Sequence, residues 1–341
     1  MTEMEARRAY LEIHYNNADI STHIEPYVLS WIFTDNLSGQ ADDLQLTLQD
    51  RDQLWINDWM PDHGASLKVN IVRKNWEYLN QIERAVIGLF DIDEIEVSGP
   101  PSVVNIKAIS IPLSASLNGQ RKNKAWEKAK LSVILRDIAN RNGLKLFYDS
   151  KEDPEYDRVE QTEQTDLEFM TKLCNDAGLC LKVSNESIVI IDEEKYEKAA
   201  PVMTIEKGKS LIKSFSGRTT LKGVYKSCRV DYQDGDSKKK VTASFTPIKP
   251  PKTERILVIN EQVSSIAEAQ RLAKKRLRQE NQNAQTMSIT MVGDIKLFAG
   301  RTVLIKGFGA FDGKYLITQA AHGQQNGYET KIEIRKCLEG Y

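Results

Sequence analysis

Ile134-Leu135-Arg136-Asp137-Ile138-Ala139-Asn140-Arg141-Asn142-Gly143-Leu144-Lys145-Leu146 has a counterpart in Phe169-Met170-Thr171-Lys172-Leu173-Cys174-Asn175-Asp176-Ala177-Gly178-Leu179-Cys180-Leu181. The offset is 35 residues, Gly178 minus Gly143. Each stretch reads as an amphipathic helix, an Asn-x-x-Gly stop and an apolar strand. Leu131, Ile134, Leu135 and Ile138 fall at i, i+3, i+4 and i+7, and Leu167, Met170, Leu173, Cys174 and Ala177 repeat the stripe, so each helix buries one face. Thr165-Asp166-Leu167-Glu168 is a capping box that starts the second helix. Gly143 and Gly178 stand where a helix ends at positive φ, a conformation glycine adopts without steric cost. Strands follow over 144–148 and 179–183, the second continuing by a hairpin through Asn185 to 188–191. Two ordinary helix-Gly-strand units could resemble each other by chance; on either view an α/β module is expected over 114–200.

Outside this module the chain reads as strands. Asp43-Leu44-Gln45-Leu46-Thr47-Leu48-Gln49-Asp50 alternates apolar and polar side chains, and 28–34, 66–73, 85–97 and 102–109 are comparable, broken at Ser38-Gly39, 61–64 and 99–101. Five or six half-polar strands predict a small barrel or sandwich over 1–113. Beyond the module, strands are expected over 225–232 and 239–246 with Asp234-Gly235 as the turn, then at 256–259, 286–291, 302–306, 314–321 and 329–335. One helix interrupts them at 265–281, capped by Ser265 and Glu268 and apolar through Ala269, Leu272, Ala273 and Leu277. Its other side carries Arg271, Lys274, Lys275, Arg276 and Arg278, a solvated face in the simplest reading. The expected fold class is therefore α+β, mainly β: two small barrel-like domains, 1–113 and 201–341, flanking an α/β insert at 114–200.

Composition bounds the function. Lys plus Arg is 47 and Asp plus Glu 48 in 341 residues, so no net field favours nucleic acid or an acidic membrane. No apolar run approaches a membrane span, and Met1 to Arg8 lacks the apolar core of a signal peptide. Cys174, Cys180, Cys228 and Cys337 form no CxxC pair and read as reduced structural residues of a protein made in a cytosol.

Candidate chemistry is sparse. His14, His23, His63 and His322 show no metal-ligand spacing, and His322 reads as a structural hydrogen-bonder at a strand end. Gly309-Ala310-Phe311-Asp312-Gly313-Lys314-Tyr315 lacks the spacing and hydroxyl of a phosphate loop and reads as a turn. Asp91, Asp93, Glu94 and Glu96 hold the carboxylates a glycoside hydrolase would need, but Ile92, Ile95 and Val97 supply a buried face, which puts the acids on the solvated side. Glu160, Glu163, Asp166 and Glu168 are accounted for by helix capping and the helix dipole. No catalytic residue, cofactor site or metal site is assigned.

The C-terminal string Gly293-Asp294-Ile295-Lys296-Leu297-Phe298-Ala299-Gly300-Arg301-Thr302-Val303-Leu304-Ile305-Lys306-Gly307-Phe308, with Asp312-Gly313-Lys314-Tyr315-Leu316-Ile317 and Ala321-His322, resembles the signature of the phage late control gene D family. Trp126, Ile138-Ala139 with Gly143-Leu144, and Gln161-x-x-x-Thr165-Asp166-Leu167-Glu168-Phe169-Met170-x-x-Leu173 agree with it, as does Ala41 to Asp52. The resemblance touches all three regions. It implies a central baseplate hub of contractile phage tails and related injection particles: a homotrimer whose subunits each contribute two similar β domains. Such a ring would join a sixfold tail tube to a threefold central spike. The implied partners are further copies of the chain, tail tube or tube-initiator proteins, the spike, baseplate wedge proteins and the tape-measure protein. DNA would pass through the lumen without specific binding, and no membrane is implied. The implied location is the tail baseplate of a virion or tail-like particle, assembled in the host bacterial cytoplasm. A tail-associated cell-wall hydrolase or glycan-binding protein is the alternative.

Overall fold

A computed structural model describes the chain except for residues 1–5, 112–116, 118, 185, 234–239, 262 and 264 and the side chains of 233 and 240. By internal packing it divides into two compact units: Met1–Asp192 with Thr290–Ala299 and Gln319–Ile332, and Glu193–Ile289 with Gly300–Thr318 and Glu333–Tyr341.

The first unit is built on antiparallel strands, as the alternation predicts. Its strands pair in the order Ala18–Asp19, Arg8–Tyr15, Ser66–Lys74, Ile82–Ser98, Val103–Ile109, Asp43–Gln49, Val28–Asn36, followed by the 319–324 part of Gly313–Gln324. Leu44, Leu46 and Leu48 all point inward, each no more than 2% exposed. Beyond 319–324 the order continues into the strand Tyr328–Lys336, and Ala9, Leu11 and Ile13 near the opposite end share a core with its Tyr328, which Trp76 meets edge-on at 5.6 Å between ring centroids. The sheet therefore curls until its two ends cover the same apolar interior, the barrel-like form expected.

Two details depart from simple alternation. Arg8–Tyr15 is a full strand, although its charged surroundings hide the Ala9-Leu11-Ile13 period. In Ile82–Ser98 the register slips between Ile92 and Glu94, leaving Asp93 without a partner. After that bulge the inward face moves by one position. Ile92 is buried and Ile95 half-buried, but Val97 is 48% exposed, contrary to the expectation that it lies inside.

The insert bears out both helices. Leu131–Arg141 buries Leu131, Ile134, Leu135, Ile138 and Ala139, and Asp166–Asp176 buries Phe169, Met170, Leu173 and Cys174 against the same core. Thr165 accepts the Glu168 N–H while Glu168 accepts the Thr165 N–H, the reciprocal capping box. Both helices end alike. Gly143 at φ +71° and Gly178 at φ +68° donate to Asn140 O and Asn175 O, and Leu144 and Leu179 donate back to Ala139 O and Cys174 O. These are paired Schellman closures. The strands that follow, Lys145–Asp149 and Cys180–Val183, lie on opposite sides of Ser187–Ile191, the first parallel to it and the second antiparallel. The Asn185 turn lies outside the described residues.

Each copy also begins with a strand that periodicity does not reveal. Lys122–Lys130 and Glu155–Gln164 pair with each other as a two-stranded ribbon. The repeated unit is thus strand, helix, glycine, strand.

In the second unit Met203–Glu206 runs parallel to Thr302–Lys306, which pairs antiparallel with the 313–316 part of Gly313–Gln324. A separate three-stranded sheet orders Lys240–Phe245, Ser227–Gln233 and Ile256–Ile259. Helix Ile266–Asn281 packs Ala269, Ala273 and Leu277 on Cys228, Val230, Val241 and Ala243 of that sheet. Ser265 caps it by accepting the Glu268 N–H at 3.2 Å. The predicted Asp234-Gly235 turn lies outside the described residues.

Candidate functional site

The structure disperses the carboxylates that sequence alone makes a candidate catalytic set. Asp91 is buried while Asp93, Glu94 and Glu96 are exposed, and Glu94 is held by Lys107 at 2.6 Å on the open face of the sheet. His63 lies near this strand, its Nδ1 3.2 Å from Asp93 O, but it is exposed. The loop at Gly309–Phe311 is a single 3₁₀ turn whose Asp312 accepts the Phe308 N–H at 2.7 Å. All four cysteines are free thiols, with Cys174, Cys180 and Cys228 buried. Among the described residues no group of three or more His, Cys, Asp or Glu side chains could hold a metal ion. No helix among them is long and apolar enough to cross a membrane.

Several residues of the family-like motifs instead form closed polar networks. His322 is 0% exposed and sits within a strand, not at the strand end expected. Its Nε2 lies 2.7 Å from Leu297 O, and its Nδ1 lies 2.7 Å from Tyr328 Oη and 3.2 Å from Thr330 Oγ1. A neutral ring fits this set, with Nε2–H donating to the carbonyl and Nδ1 accepting from a hydroxyl. Burial lowers its pKa to about 4, so it stays neutral at pH 7. Arg73, 1% exposed, donates to Gly293 O at 3.3 Å and to Glu83 at 2.8 Å.

Asp166 exceeds the helix-dipole role given to it. It is 0% exposed and takes hydrogen bonds from Lys122, Arg141, Asn142 and Gln161. Burial alone would raise its pKa, but these donors outweigh burial and hold the carboxyl below its ordinary value. Trp126 stacks on Phe169 at 5.4 Å and 12°. Trp126, Gln161, Asp166 and Phe169, separate parts of the sequence motif, thus meet in one place, joined by Arg141, which bonds Asp166 and lies over the Trp126 ring at 5.8 Å. Glu163, by contrast, sits in the ribbon at φ +48° and Glu160 pairs with Arg158.

A third network ties the insert to the curled sheet. Lys182 donates to Asp35 and Asn36 O and pairs with Asp42 at 2.9 Å, while Asp35 also accepts the Ala299 N–H at 2.7 Å. Burial opposes the Lys182 charge, yet the two carboxylates prevail and raise its pKa. Burial pushes Asp42 up to about 6 against the pull of Lys182, with Asp35 adding to the rise.

The basic side of helix Ile266–Asn281 is less free than a solvated face. Lys274 pairs with Glu194, Arg276 with Glu261 and Arg278 with Glu197, and Glu197 also binds the buried Arg335. Arg271 is exposed. Of the five basic side chains at least three are thus neutralised within the second unit.

What remains available for contact is strand edge and apolar surface. Ile212–Thr219 ends its sheet order, and every residue after Ile212 is exposed. Phe215 within it is 48% exposed and meets Phe308 edge-on at 4.9 Å, with Lys207 Nζ 5.2 Å from the Phe215 ring. An edge strand open along its length is a template for pairing with another chain.

Comparison with known proteins identifies the family. Over 95% of its length the chain is 24% identical to the probable baseplate hub protein of Escherichia phage 186, covering 92% of that protein. The fold is similar to that of the 43 kDa tail protein of prophage MuSo2 from Shewanella oneidensis, at a TM-score of 0.71 and 13% identity over 96% of this chain and 98% of that one. It is also similar to a tail protein from Neisseria meningitidis MC58, at a TM-score of 0.72 and 12% identity with 96% of each chain covered. The family model described as phage tail baseplate hub (GPD) matches residues 108–328, more than half of the 341 residues. With its interlocked motif residues and its mainly β fold, the chain belongs to the phage tail baseplate hub family.

Proposed function

We propose that this chain assembles as a homotrimeric hub that joins a sixfold tail tube to a threefold central spike, within a three-part organisation of 1–113, 114–200 and 201–341. The observation that carries this reading is that a chain of this family has antiparallel sheet in each of its two compact units. Three chains then offer six β elements, enough to meet a sixfold ring above while remaining threefold below. The open edge strand Ile212–Thr219 supports contact between subunits, because main-chain groups left unpaired on one chain are met by another.

The partners are tail tube or tube-initiator proteins, the spike, wedge proteins and the tape-measure protein, in a tail or tail-like particle assembled in the bacterial cytoplasm. DNA crosses the lumen without being gripped, since each phosphate neutralised by Lys or Arg adds affinity. The lumen is accordingly acidic or mixed, with 238–240 turned elsewhere; those side chains lie outside the described residues. The paired bases of helix Ile266–Asn281 fit that reading.

Mass in solution and cryo-EM of the assembled particle test the proposal. A trimer of three times 38.7 kDa, about 116 kDa, is expected on its own or on the particle axis. A monomer that never enters a threefold ring refutes it, and a continuous Lys/Arg lining in the trimer refutes the account of the lumen.

A further inference from the structure

Beside the curled sheet lies a cavity of about 570 Å³ that no network above uses. Its walls include Tyr15, Trp55 and Trp59, and its rim Asp19, Asp58 and Asp62. Trp55 meets Trp59 edge-on at 5.5 Å, and Trp59 is 40% exposed, a large aromatic surface open at the mouth. The Asp62 N–H donates to Tyr15 Oη at 3.2 Å, tying rim to wall. Asp19 is ordered by the N–H of Ser21 at 2.9 Å and its hydroxyl at 2.6 Å.

Three features give this cavity a chemical sign. None of the three carboxylates is engaged in an ion pair among the described residues; His23, which also lines the cavity, and His14 act on Asp19, while nothing comparable acts on Asp58 or Asp62. Aromatic rings beside them present electron-rich faces, which attract a cation as the carboxylates do. Trp55 is 6% exposed, and its indole Nε1 meets no acceptor among the described residues. A buried donor left without a partner carries a desolvation cost that a ligand's oxygen would remove.

We propose that this cavity docks an arginine side chain carried on an extended segment of a partner protein. The guanidinium is planar and weakly hydrated, so it stacks on indole and bonds carboxylates in the same pose, which a lysine ammonium does less well. Its methylene stem covers the apolar wall. A neutral sugar would use the aromatic wall but would leave the Asp58 and Asp62 carboxylates without a counter-charge.

Tryptophan fluorescence of the full chain, titrated with the blocked peptide acetyl-Gly-Arg-Gly-amide, tests this. Saturable binding in the millimolar range or tighter is expected, the range open to a single docked side chain. The same peptide with neutral citrulline in place of arginine binds at least about tenfold more weakly, and so does the arginine peptide to Asp58→Asn/Asp62→Asn. Trp59→Ala, read by calorimetry because the change removes a reporter ring, abolishes binding while the chain keeps a cooperative unfolding transition; the loss of the Trp55 and Tyr27 contacts lowers the midpoint without unfolding the chain. Equal affinity for the citrulline peptide overturns the proposal, as does silence towards the arginine peptide. Binding of an N-acetylglucosamine oligomer that Trp59→Ala abolishes, with the arginine peptide inert, assigns the cavity to glycan and overturns it too.

Discussion

Gly293→Ala turns a small change in sequence into a large loss of packing. A Cβ built on Gly293 lies 2.1 Å from Tyr328 Cδ1 and 2.4 Å from both Cε1 and Cγ, well inside contact. The backbone has little room to retreat, since the Gly293 N–H donates to Tyr328 O at 2.9 Å and Gly293 O accepts from Arg73. The ring must therefore leave. It is part of a residue only 5% exposed, packed at 5.7 Å from Trp31 and 5.6 Å from Trp76, with its hydroxyl on His322. A buried tyrosine covers roughly 150–250 Å², which at ~25 cal/mol per Å² is about 4–6 kcal/mol. Partial repacking retains some of this, so a loss of about 3–4 kcal/mol is expected. Gly143→Ala is the control: φ is +71° but nothing lies within 4 Å, so the cost is the left-handed backbone alone, about 1 kcal/mol. Urea unfolding followed by tryptophan fluorescence, to which Trp31 and Trp76 beside Tyr328 contribute, reads both. In a Tyr328→Ala background the Gly293→Ala change costs less than about 1 kcal/mol, because the ring it collides with is gone. Equal losses for Gly293→Ala and Gly143→Ala, or full additivity with Tyr328→Ala, would refute the collision.

Other outcomes follow from the buried networks and the acidic strand. His322 binds a proton less readily folded (about 4) than unfolded, so its contribution is complete above about pH 6.5 and is lost as pH falls towards 4, by up to about 3 kcal/mol. His322→Gln flattens the fall in stability between pH 7 and 5; an unchanged slope would show that the ring is not the titrating group. Lys182→Met strands Asp35 and Asp42 and costs about 3–5 kcal/mol in denaturation at pH 7, while Asp42→Asn stays within about 1 kcal/mol of the parent chain. The Lys182→Met loss shrinks at lower pH, where Asp42 takes a proton; a constant deficit contradicts the buried-pair account. On a peptidoglycan zymogram the purified protein leaves no clearing, and lysis abolished by Asp93→Ala or Glu94→Ala would establish the hydrolase alternative.

Strands facing one apolar interior were readable because every second residue in them is apolar, as at Leu44, Leu46 and Leu48. Helix ends were readable because Gly143 and Gly178 answer a local backbone demand. The ribbon of Lys122–Lys130 and Glu155–Gln164 was not. Both its faces are largely wet, and its buried residues are few and chemically mixed, among them Trp126, Ala129 and Gln161. Val97 keeps the face of Ile95 and pairs with the buried Val104, but it lies one residue from the end of its strand and is 48% exposed: alternation assigns a face, not the cover over it. Asp166 looked like an ordinary first-turn acid, since its partners Lys122 and Arg141 come from elsewhere in the chain. The aromatic cavity has the same character: Tyr15 and Trp55 are far apart in sequence, and nothing local announces that they share a wall.

The Schellman-closed repeat has a further consequence. Its two initial strands pair antiparallel with each other, and its two final strands lie antiparallel to one another across Ser187–Ile191. The copies thus meet as the halves of a dimer do, here fused into one chain through residues 150–154. Each half supplies the hydrogen-bonding partner that the other's first strand lacks. Removing one copy alone therefore leaves the other's first strand without its hydrogen-bonding partner.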